Sequence, residues 1–376
     1  MAAFNPFPLT AYHGPEFFCD REAETQKLIS NAQNGVNSTL ISIRRMGKTI
    51  LVRHVFDQLS RKKKMLCLYV DIHATLSQKD LLNQLSTAII QSFPPRKSIG
   101  RKFMDFIGGL RPVISYDNLS GQPELSFDWQ TPRQQEESLQ SLLQFLDKLD
   151  TTLVVAIDEF QQIAFYPESN TEALLRSVTQ SLKNVRFIFS GSSRHLLSLM
   201  FASSSRPFYG SSQLMELTSI SHDAYAAFIK QHFLAHKRKL EKEAIDFILT
   251  WTRRHTWFTQ VLCNRLFAAG YAVISITEVQ ALCETILKEQ EPVFFQYRSL
   301  LTLAQWQLLT AIAREEKLYQ PGAGAFIQKY KLGTPSSVKR SIDSLLEKEM
   351  IYQERDEEGS YFQVYDCFLS RWLERL

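Results

Sequence analysis

The stretch STLISIRRMGKTILVRHV, residues 38–55, decides the fold class that we expect for this chain. It opens with a short apolar run typical of a strand. Apolar side chains then recur four residues apart at Leu51, Val55 and Leu59, which indicates one face of a helix. Between strand and helix lies SIRRMGKT (42–49), whose ending matches the motif GxxxxGK followed by Ser or Thr. A strand, a glycine-containing loop and a helix in this order predict a P-loop.

The chemistry expected of this loop is phosphate binding. Backbone N–H groups and the positive end of the following helix attract phosphate oxygens. Lys48 would reach the β- and γ-phosphates, and the Thr49 hydroxyl would bind Mg²⁺. Ser42 stands where the motif has its first glycine, so it could carry strain at a turn that often needs positive φ. The alternative is a GKT sequence that begins a helix by chance. The residues expected to bind ATP here are Ser42, Ile43, Arg44, Arg45, Met46, Gly47, Lys48, Thr49 and Ile50.

A second motif follows the most strand-like run of the sequence. LVVAIDEF (153–160) is apolar and ends in two carboxylates, Asp158 and Glu159. An aspartate at the carboxyl end of a buried strand can hold Mg²⁺, directly or through water. A glutamate beside it can orient or activate the attacking water. We therefore expect Asp158 to serve the metal and Glu159 to be the base, the alternative being a strand that merely ends in charge.

Polar residues also follow the next predicted strand. FIFSGSSRHLL (187–197) places Ser192 and Arg194 just past it, at the edge of an α/β sheet where ligands bind. Either side chain could sense a γ-phosphate, which makes Arg194 a candidate catalytic residue beside Glu159 and Lys48. An ordinary serine-rich loop explains the same residues equally well. Arg206 and the two P-loop arginines are candidate arginine fingers, and surface solvation is the alternative for the P-loop pair.

The order of elements predicts an α/β core over residues 1–217. Short apolar strands alternate with amphipathic helices, which favours a parallel five-stranded sheet with helices on both faces. Residues 94–128 break this rhythm, and two β-prone runs around a turn predict a hairpin insertion near 111–129. The predicted strands of the sheet lie at 38–42, 65–72, 151–158, 185–193 and 213–217.

The C-terminal part has a different pattern. Residues 218–295 contain only helical signals and are expected to form a helical lid domain. Residues 296–376 have three helices and then a β-hairpin, the outline of a winged helix. This last region contains 11 Lys and Arg and 11 Asp and Glu. Because DNA affinity depends mainly on neutralising phosphates, we expect a regulatory or protein-binding role in preference to DNA binding.

Composition excludes several protein classes. The chain has 376 residues and a net charge of +4, which is too small to imply nucleic acid by itself. Its five cysteines are scattered, so neither a disulfide framework nor a zinc site is expected. No signal peptide and no apolar run of about 18 residues is found, so we expect a cytoplasmic protein without a membrane span.

These motifs together resemble those of the prokaryotic "archaeal ATPase" family (ATPase domain 2), in the STAND-like branch of AAA-related P-loop ATPases. The P-loop resembles that family's PRRxGKT, and VVAIDEFQQI (154–163) resembles its Walker B strand. Further matching segments occur in order along nearly the whole chain. They are FFCDREAE (17–24), FSGSS (189–193), RPFYG (206–210), RRHTWFTQVLCNRL (253–266) and VYDCFLSRWL (364–373).

The resemblance implies ATP and Mg²⁺ as ligands, a helical lid and a winged helix. It also implies that Phe17, Phe18 and Arg21 lie near the adenine, and that His255 and Trp257 close over the nucleotide. Two departures concern these adenine-side details. Cys19 and Asp20 replace one glycine of the family's entry box, and a His-Thr-Trp sequence replaces its Gly-x-Pro core.

Three functions follow as hypotheses. The first is a Mg²⁺-dependent ATPase switch whose helical and winged-helix domains respond to nucleotide, with a protein partner or self-association. The second is a nucleotide-responsive DNA-binding regulator, motivated by the winged-helix outline. The third is an ATP-binding scaffold with negligible hydrolysis, motivated by Ser42 and by the lack of an unambiguous arginine finger.

Overall fold

The computed structural model describes residues 5–63, 65–94, 98–109, 112–118, 121–127 and 131–376. The chain divides into two compact units. The N-terminal unit is Ala11–Thr218, and the C-terminal unit is Ser219–Leu376 together with the residues up to Thr10. The expected core of 1–217 thus differs from the N-terminal unit chiefly at its beginning, because the first residues cluster with the other unit.

A parallel five-stranded sheet forms the centre of the N-terminal unit. The strands of this unit are β1 (Ser38–Ile41), β2 (Leu66–Asp71), β3 (Pro112–Tyr116), β4 (Pro123–Phe127), β5 (Leu153–Asp158), β6 (Val185–Gly191) and β7 (Gln213–Glu216). The sheet has the order β2-β5-β6-β1-β7, and all its pairs are parallel. The five strands predicted for the sheet are therefore the five that form it.

Helices cover both faces of this sheet. They are α1 (Glu22–Gln33), α2 (Lys48–Lys63), α3 (Gln78–Ser92), α4 (Ser98–Gly108), α5 (Pro132–Asp147), α6 (Thr171–Ser181) and α7 (Arg194–Ala202). Successive side chains of β5 enter different cores. Val155 and Ile157 pack with apolar residues of α3, α5 and α6, whereas Val154 and Ala156 pack with those of α1 and α2. This alternation explains why β5 is buried along its whole length. A parallel sheet with helices on both faces confirms the predicted α/β fold class.

Two local features differ from what the sequence indicates. The strand predicted at 65–72 is apolar over most of its length, yet β2 lies at an edge of the sheet and is only half-buried. Residues 94–128 were expected to contain a hairpin alone, yet α4 precedes it, burying Phe103 and Ile107. The antiparallel pair β3–β4 lies within the predicted insertion at 111–129, of which 111, 119–120 and 128–129 lie outside the described residues.

The C-terminal unit begins with a helical region that also contains one short strand pair. Its first elements are α8 (His222–Ala235), β8 (Lys239–Leu240), α9 (Lys242–Trp251), α10 (Thr256–Ala268), β9 (Val273–Ile274) and α11 (Ile276–Ser299). The two-residue strands β8 and β9 pair in parallel, a contact that the helical signals of the sequence did not predict. Strands this short have no periodicity from which they could be recognised.

The rest of this unit has the order of a winged helix. Its elements are α12 (Leu303–Glu315), α13 (Gly324–Tyr330), α14 (Pro335–Glu347), β10 (Ile351–Asp356), β11 (Gly359–Val364) and α15 (Cys367–Leu373). Thr334 caps α14 by accepting a hydrogen bond from the backbone N–H of Ser337. The antiparallel pair β10–β11 forms the wing, so the predicted winged helix is confirmed.

The N-terminal segment of the chain is anchored in the C-terminal unit. Phe7 is 1% exposed and packs against the rings of Phe233 and Phe267. Asn264 donates a hydrogen bond to the Phe7 carbonyl, and the Asn5 amide donates to the Asn264 carbonyl. The chain therefore passes from one unit to the other twice, after Thr10 and after Thr218. Among the described residues, no helix has the length and apolar composition that crossing a membrane would require.

Candidate nucleotide-binding site

The P-loop is a turn between β1 and α2, as its sequence predicts. Residues 42–47 connect the strand to the helix, and α2 begins at Lys48. Positive φ occurs at Arg45 (61°) and Gly47 (93°), whereas Ser42 does not have a positive φ. The strain expected at Ser42 is therefore absent, because the left-handed positions of this turn lie elsewhere. Met46 is buried in the core beneath the loop, while the side chains of Arg44 and Arg45 are exposed.

Lys48 is a buried cation held by uncharged oxygens. It is 6% exposed, and its Nζ donates to Ser42 Oγ at 3.1 Å, to the Ile43 carbonyl at 3.3 Å and to the Ser42 carbonyl at 3.4 Å. Burial lowers the pKa of Lys48, and the nearby carboxylates of Asp158 and Glu159 oppose that shift. An ammonium group in this position can accept an anion without first breaking a hydrogen-bonded ion pair.

Asp158 connects the P-loop helix to the centre of the sheet. This carboxylate is 5% exposed and lies at the end of β5. Its Oδ2 accepts from Thr49 Oγ1 at 2.9 Å and from the Tyr69 hydroxyl at 2.5 Å. Its Oδ1 accepts from Ser190 Oγ at 2.7 Å and from the Glu159 backbone N–H at 3.1 Å. Four uncharged donors thus fix the orientation of the carboxylate and bring no counter-charge to it.

Sequence reasoning did not find Tyr69 and Ser190. Ser190 lies on β6 directly after Phe189, which pairs with Ile157 of β5, so the parallel register brings Ser190 beside Asp158. Tyr69 pairs with Ala156, two residues before Asp158 on the same face of β5. A polar residue inside the apolar run of β6 was a detectable signal for Ser190. Nothing in the sequence around Tyr69 distinguishes it from a core residue.

The backbone of Glu159 is neither in the right-handed helical nor in the extended conformation. It has φ 55° and ψ 41°, a left-handed conformation uncommon for a residue with a side chain. Its Oε2 accepts from Ser192 Oγ at 2.8 Å, from the Ser192 backbone N–H at 3.2 Å and from Gln161 Nε2 at 2.5 Å. A Cβ on Gly191 would lie 1.9 Å from Gln161 Oε1, so this glycine leaves the space that Gln161 occupies. Arg44 Nε also approaches Ser192 Oγ, at 3.4 Å.

The remaining candidate arginines form ion pairs within the N-terminal unit. Arg194 begins α7 and pairs with Glu216 at the end of β7. Arg206 pairs with Glu172 at the beginning of α6. These contacts explain how each guanidinium is held in the structure, and the roles predicted for Arg194 and Arg206 stay predictions.

The residues expected near adenine lie in three places. Phe18 stacks on His54 of α2, with ring centroids 4.1 Å apart and planes inclined by 15°. Arg21 is buried, forms an ion pair with Glu24 and donates to the Thr218 carbonyl. His255 lies in the C-terminal unit, where it precedes α10 and packs against the ring of Phe258. Their predicted contacts with a nucleotide stay predictions.

The donor set fits a magnesium ion bound together with phosphate oxygens. Mg²⁺ takes oxygen ligands, keeps several waters and commonly needs only one or two protein carboxylates. Thr49 is exposed at the beginning of α2 and contacts Asp158, so a hydroxyl and a carboxylate occur side by side. Within the described ranges, no group of three or more His, Cys, Asp or Glu side chains is placed to hold a metal ion, so phosphate oxygens and water would have to complete this site.

Two family models match this chain. Residues 37–200 match a model described as an AAA domain, and residues 292–375 match one described as a probable winged helix domain. The chain carries an AAA domain followed by a winged helix. This combination agrees with the resemblance to the archaeal ATPase family, while its placement in the STAND branch stays a prediction.

Solved structures share the fold along nearly the whole chain. The Walker-type ATPase of Pyrococcus abyssi has a TM-score of 0.67 and 20% identity, covering 99% of this chain and 100% of its own. The ORC2 protein of Aeropyrum pernix, in ADPNP–ADP complexes, has a TM-score of 0.61 and 16% identity, covering 99% and 96%. The ORC1 protein of the same organism, in complex with DNA, has a TM-score of 0.50 and 13% identity, covering 96% and 94%. At these identities the likeness describes the fold alone. No curated protein matches this chain significantly in sequence.

Proposed function

We propose that this protein binds Mg²⁺–ATP at its P-loop and hydrolyses it, and that the nucleotide state changes the conformation of its C-terminal unit. The observation that carries this proposal is the hydrogen bond from Thr49 to Asp158, 2.9 Å long, beside the buried ammonium group of Lys48. The solved complexes of a similar fold, ORC2 of Aeropyrum pernix, contain ADPNP and ADP and support a nucleotide ligand.

Each residue of this site has a distinct proposed task. Lys48 binds phosphate oxygens and exchanges its bonds with Ser42 and Ile43 for them. Thr49 and Asp158 hold Mg²⁺, which would neutralise charge on the transferred phosphoryl group. Glu159 orients the attacking water once its carboxylate leaves Ser192. Ser192 and Arg194, at the end of β6 and the beginning of α7, would sense whether the γ-phosphate is present.

Turnover of the purified protein tests this proposal. Lys48→Ala should abolish binding of a fluorescent ATP analogue, since the cation that matches the phosphates is removed. Glu159→Gln should retain binding and stop phosphate release. If Glu159→Gln hydrolyses ATP as the wild type does, Glu159 is not the base. Measurable affinity without phosphate release by the wild type would support the scaffold hypothesis.

A second candidate is nucleotide-responsive DNA binding. It is favoured by the winged helix and by the similar fold of ORC1 of Aeropyrum pernix, which was solved with DNA. Lys339 and Arg340 are exposed on the first half of α14, but Asp343 and Glu347 are exposed on its second half. The wing turn also carries the exposed Glu357 and Glu358. These carboxylates oppose a phosphate backbone, so we rank DNA below a protein partner or a second copy of the chain.

A mobility shift with and without ATP decides between the two candidates. Binding through phosphates must weaken steeply as salt is raised from low to physiological concentration. A salt-sensitive shift that requires ATP would favour the DNA-binding regulator. Absence of a shift at every salt concentration would leave the ATPase switch.

A further inference from the structure

One oxygen of Asp158 is shared between two hydroxyl groups from different elements. Thr49, on α2, donates to Oδ2 at 2.9 Å, and Tyr69, on β2, donates to the same atom at 2.5 Å. The other oxygen, Oδ1, accepts from Ser190 and from the Glu159 backbone. Rotation of the carboxylate would exchange its two oxygens and disrupt all four bonds. The Tyr69 hydroxyl therefore contributes directly to the orientation of Asp158.

The ring of Tyr69 is itself held in position by the P-loop helix. Tyr69 is half-buried on the edge strand β2, and the guanidinium carbon of Arg53 lies 4.0 Å from the centre of its ring. Arg53 lies four residues after Thr49 and therefore on the same face of α2. Helix α2 thus supplies two groups. The Thr49 hydroxyl donates to the same oxygen of Asp158 as Tyr69 does, and the Arg53 guanidinium covers the Tyr69 ring.

Tyr69 is the donor in its contact with Asp158, because a carboxylate oxygen can only accept the phenolic hydrogen bond. With Asp158 fixed, Thr49 keeps its proton directed at Oδ2, so a lone pair of the Thr49 oxygen could bind a cation.

We propose that Tyr69 is a positioning residue for the magnesium site. Through its hydroxyl it orients Asp158 and Thr49, and so sets the Mg²⁺ concentration that the protein needs to hold its nucleotide tightly. This inference rests on the proposed function of the same site. Tyr69 contacts neither phosphate nor metal in this scheme. Partners that orient metal ligands in this way commonly change metal affinity by about 10- to 100-fold when they are removed.

The test measures binding of a fluorescent ATP analogue to the full chain, first in EDTA and then across a titration of Mg²⁺. In Tyr69→Phe we expect unchanged affinity in EDTA, because Lys48 and the loop remain. The Mg²⁺ concentration that produces half of the metal-dependent gain in nucleotide affinity should be about tenfold higher than in the wild type. A purely structural role would instead weaken binding equally with and without the metal, and that result would overturn the inference.

Tyr166→Phe is the matched control. Its buried hydroxyl contacts Thr75 Oγ1 at 2.5 Å in the same unit and does not contact Asp158. We expect its Mg²⁺ midpoint to equal that of the wild type. Arg53→Gln provides an independent variant, since it removes the cation above the ring but leaves the hydroxyl in place. It should shift the Mg²⁺ midpoint in the same direction by a smaller factor, and it keeps the inference testable if Tyr69→Phe does not fold.

The two proposals fail differently. If the wild type binds nucleotide, Lys48→Ala does not, and Tyr69→Phe has the Mg²⁺ midpoint of the wild type, only the role of Tyr69 is wrong. If the wild type binds no nucleotide in either condition, the proposed function and the inference fall together.

Discussion

Two carboxylates in this protein, one in each unit, each accept two side-chain hydrogen bonds at one oxygen, one of them from a tyrosine, and differ in the charge of the second donor. Asp158 Oδ2 accepts from Thr49 and Tyr69, and both donors are neutral. Asp356 Oδ2 accepts from Tyr319 at 2.7 Å and from the ammonium group of Lys317 at 2.6 Å. Asp356 therefore has its counter-charge already, whereas no charged donor contacts Asp158 in the described part of the chain and the ammonium group of Lys48 lies nearby. A buried carboxylate with neutral donors is suited to the cation that we propose for Asp158, whereas the half-buried Asp356 forms an ion pair with Lys317 that joins β10 to the segment after α12.

Removing each carboxylate in turn is the strongest test of this contrast. Asp158→Ala should lower ATP turnover by at least about 100-fold, since metal stabilisation of the transition state is worth several kcal/mol. Asp356→Ala should leave turnover unchanged. Phosphate release at saturating ATP and Mg²⁺ measures both variants. Equal losses in the two would remove the distinction between a ligand-binding and a structural carboxylate.

Crowding Gln161, which donates a hydrogen bond to Glu159, should have the next largest effect on ATP turnover. Gly191→Ala places a methyl group against the amide of Gln161, which donates to Glu159. We expect turnover to fall by about 10- to 100-fold through misplacement of the proposed base, while ATP affinity is retained. Gly270→Ala is not a suitable control because its φ of 80° adds strain, whereas Gly108→Ala meets nothing within 4 Å and has no positive φ. Loss of ATP affinity in Gly191→Ala would show that the loop, and not the base, was disturbed.

The buried ammonium group predicts a pH dependence of binding. Burial lowers the pKa of Lys48 in the free protein, and bound phosphates would raise it again. Binding then takes up a proton in alkaline solution, so ATP affinity should weaken several-fold as pH rises from neutral. In Lys48→Arg the side chain stays charged, and this slope should disappear even though its overall affinity differs. Measuring nucleotide affinity as a function of pH tests whether the affinity weakens in this direction.

The smallest expected effect concerns the wing. The hydrogen bond from Lys317, and then that from Tyr319, lowers the pKa of Asp356 below its ordinary value. Its stabilising contribution is therefore fully present above the unfolded-state pKa and is lost as pH falls through the folded-state pKa. Asp356→Asn should melt slightly below the wild type at neutral pH, and the difference should close in acid. A difference that grew in acid would contradict this ion pair.

Much of the fold follows from local pattern. The apolar runs at 38–42 and 151–158 contain the strands β1 and β5, and the GKT sequence begins a helix. Periodicity could not distinguish the edge strand β2 from a central one, because burial on the second face depends on which elements cover it. The helix α4 was missed because its short amphipathic run lies between the adjacent prolines at 94–95 and the predicted hairpin.

By itself, the sequence determined the turn between β1 and α2 and the carboxylates at the end of β5, because both depend on residues close together in the chain. The tertiary structure decided which groups hold those carboxylates. Thr49 reaches Asp158 across 109 residues and Tyr69 across 89, and each meets it only because parallel strands bring their carboxyl ends to one edge. The anchoring of Phe7 in the C-terminal unit was decided in the same way. A hydroxyl that donates to a distant carboxylate has no local signature, since its environment exists only after the strands have paired.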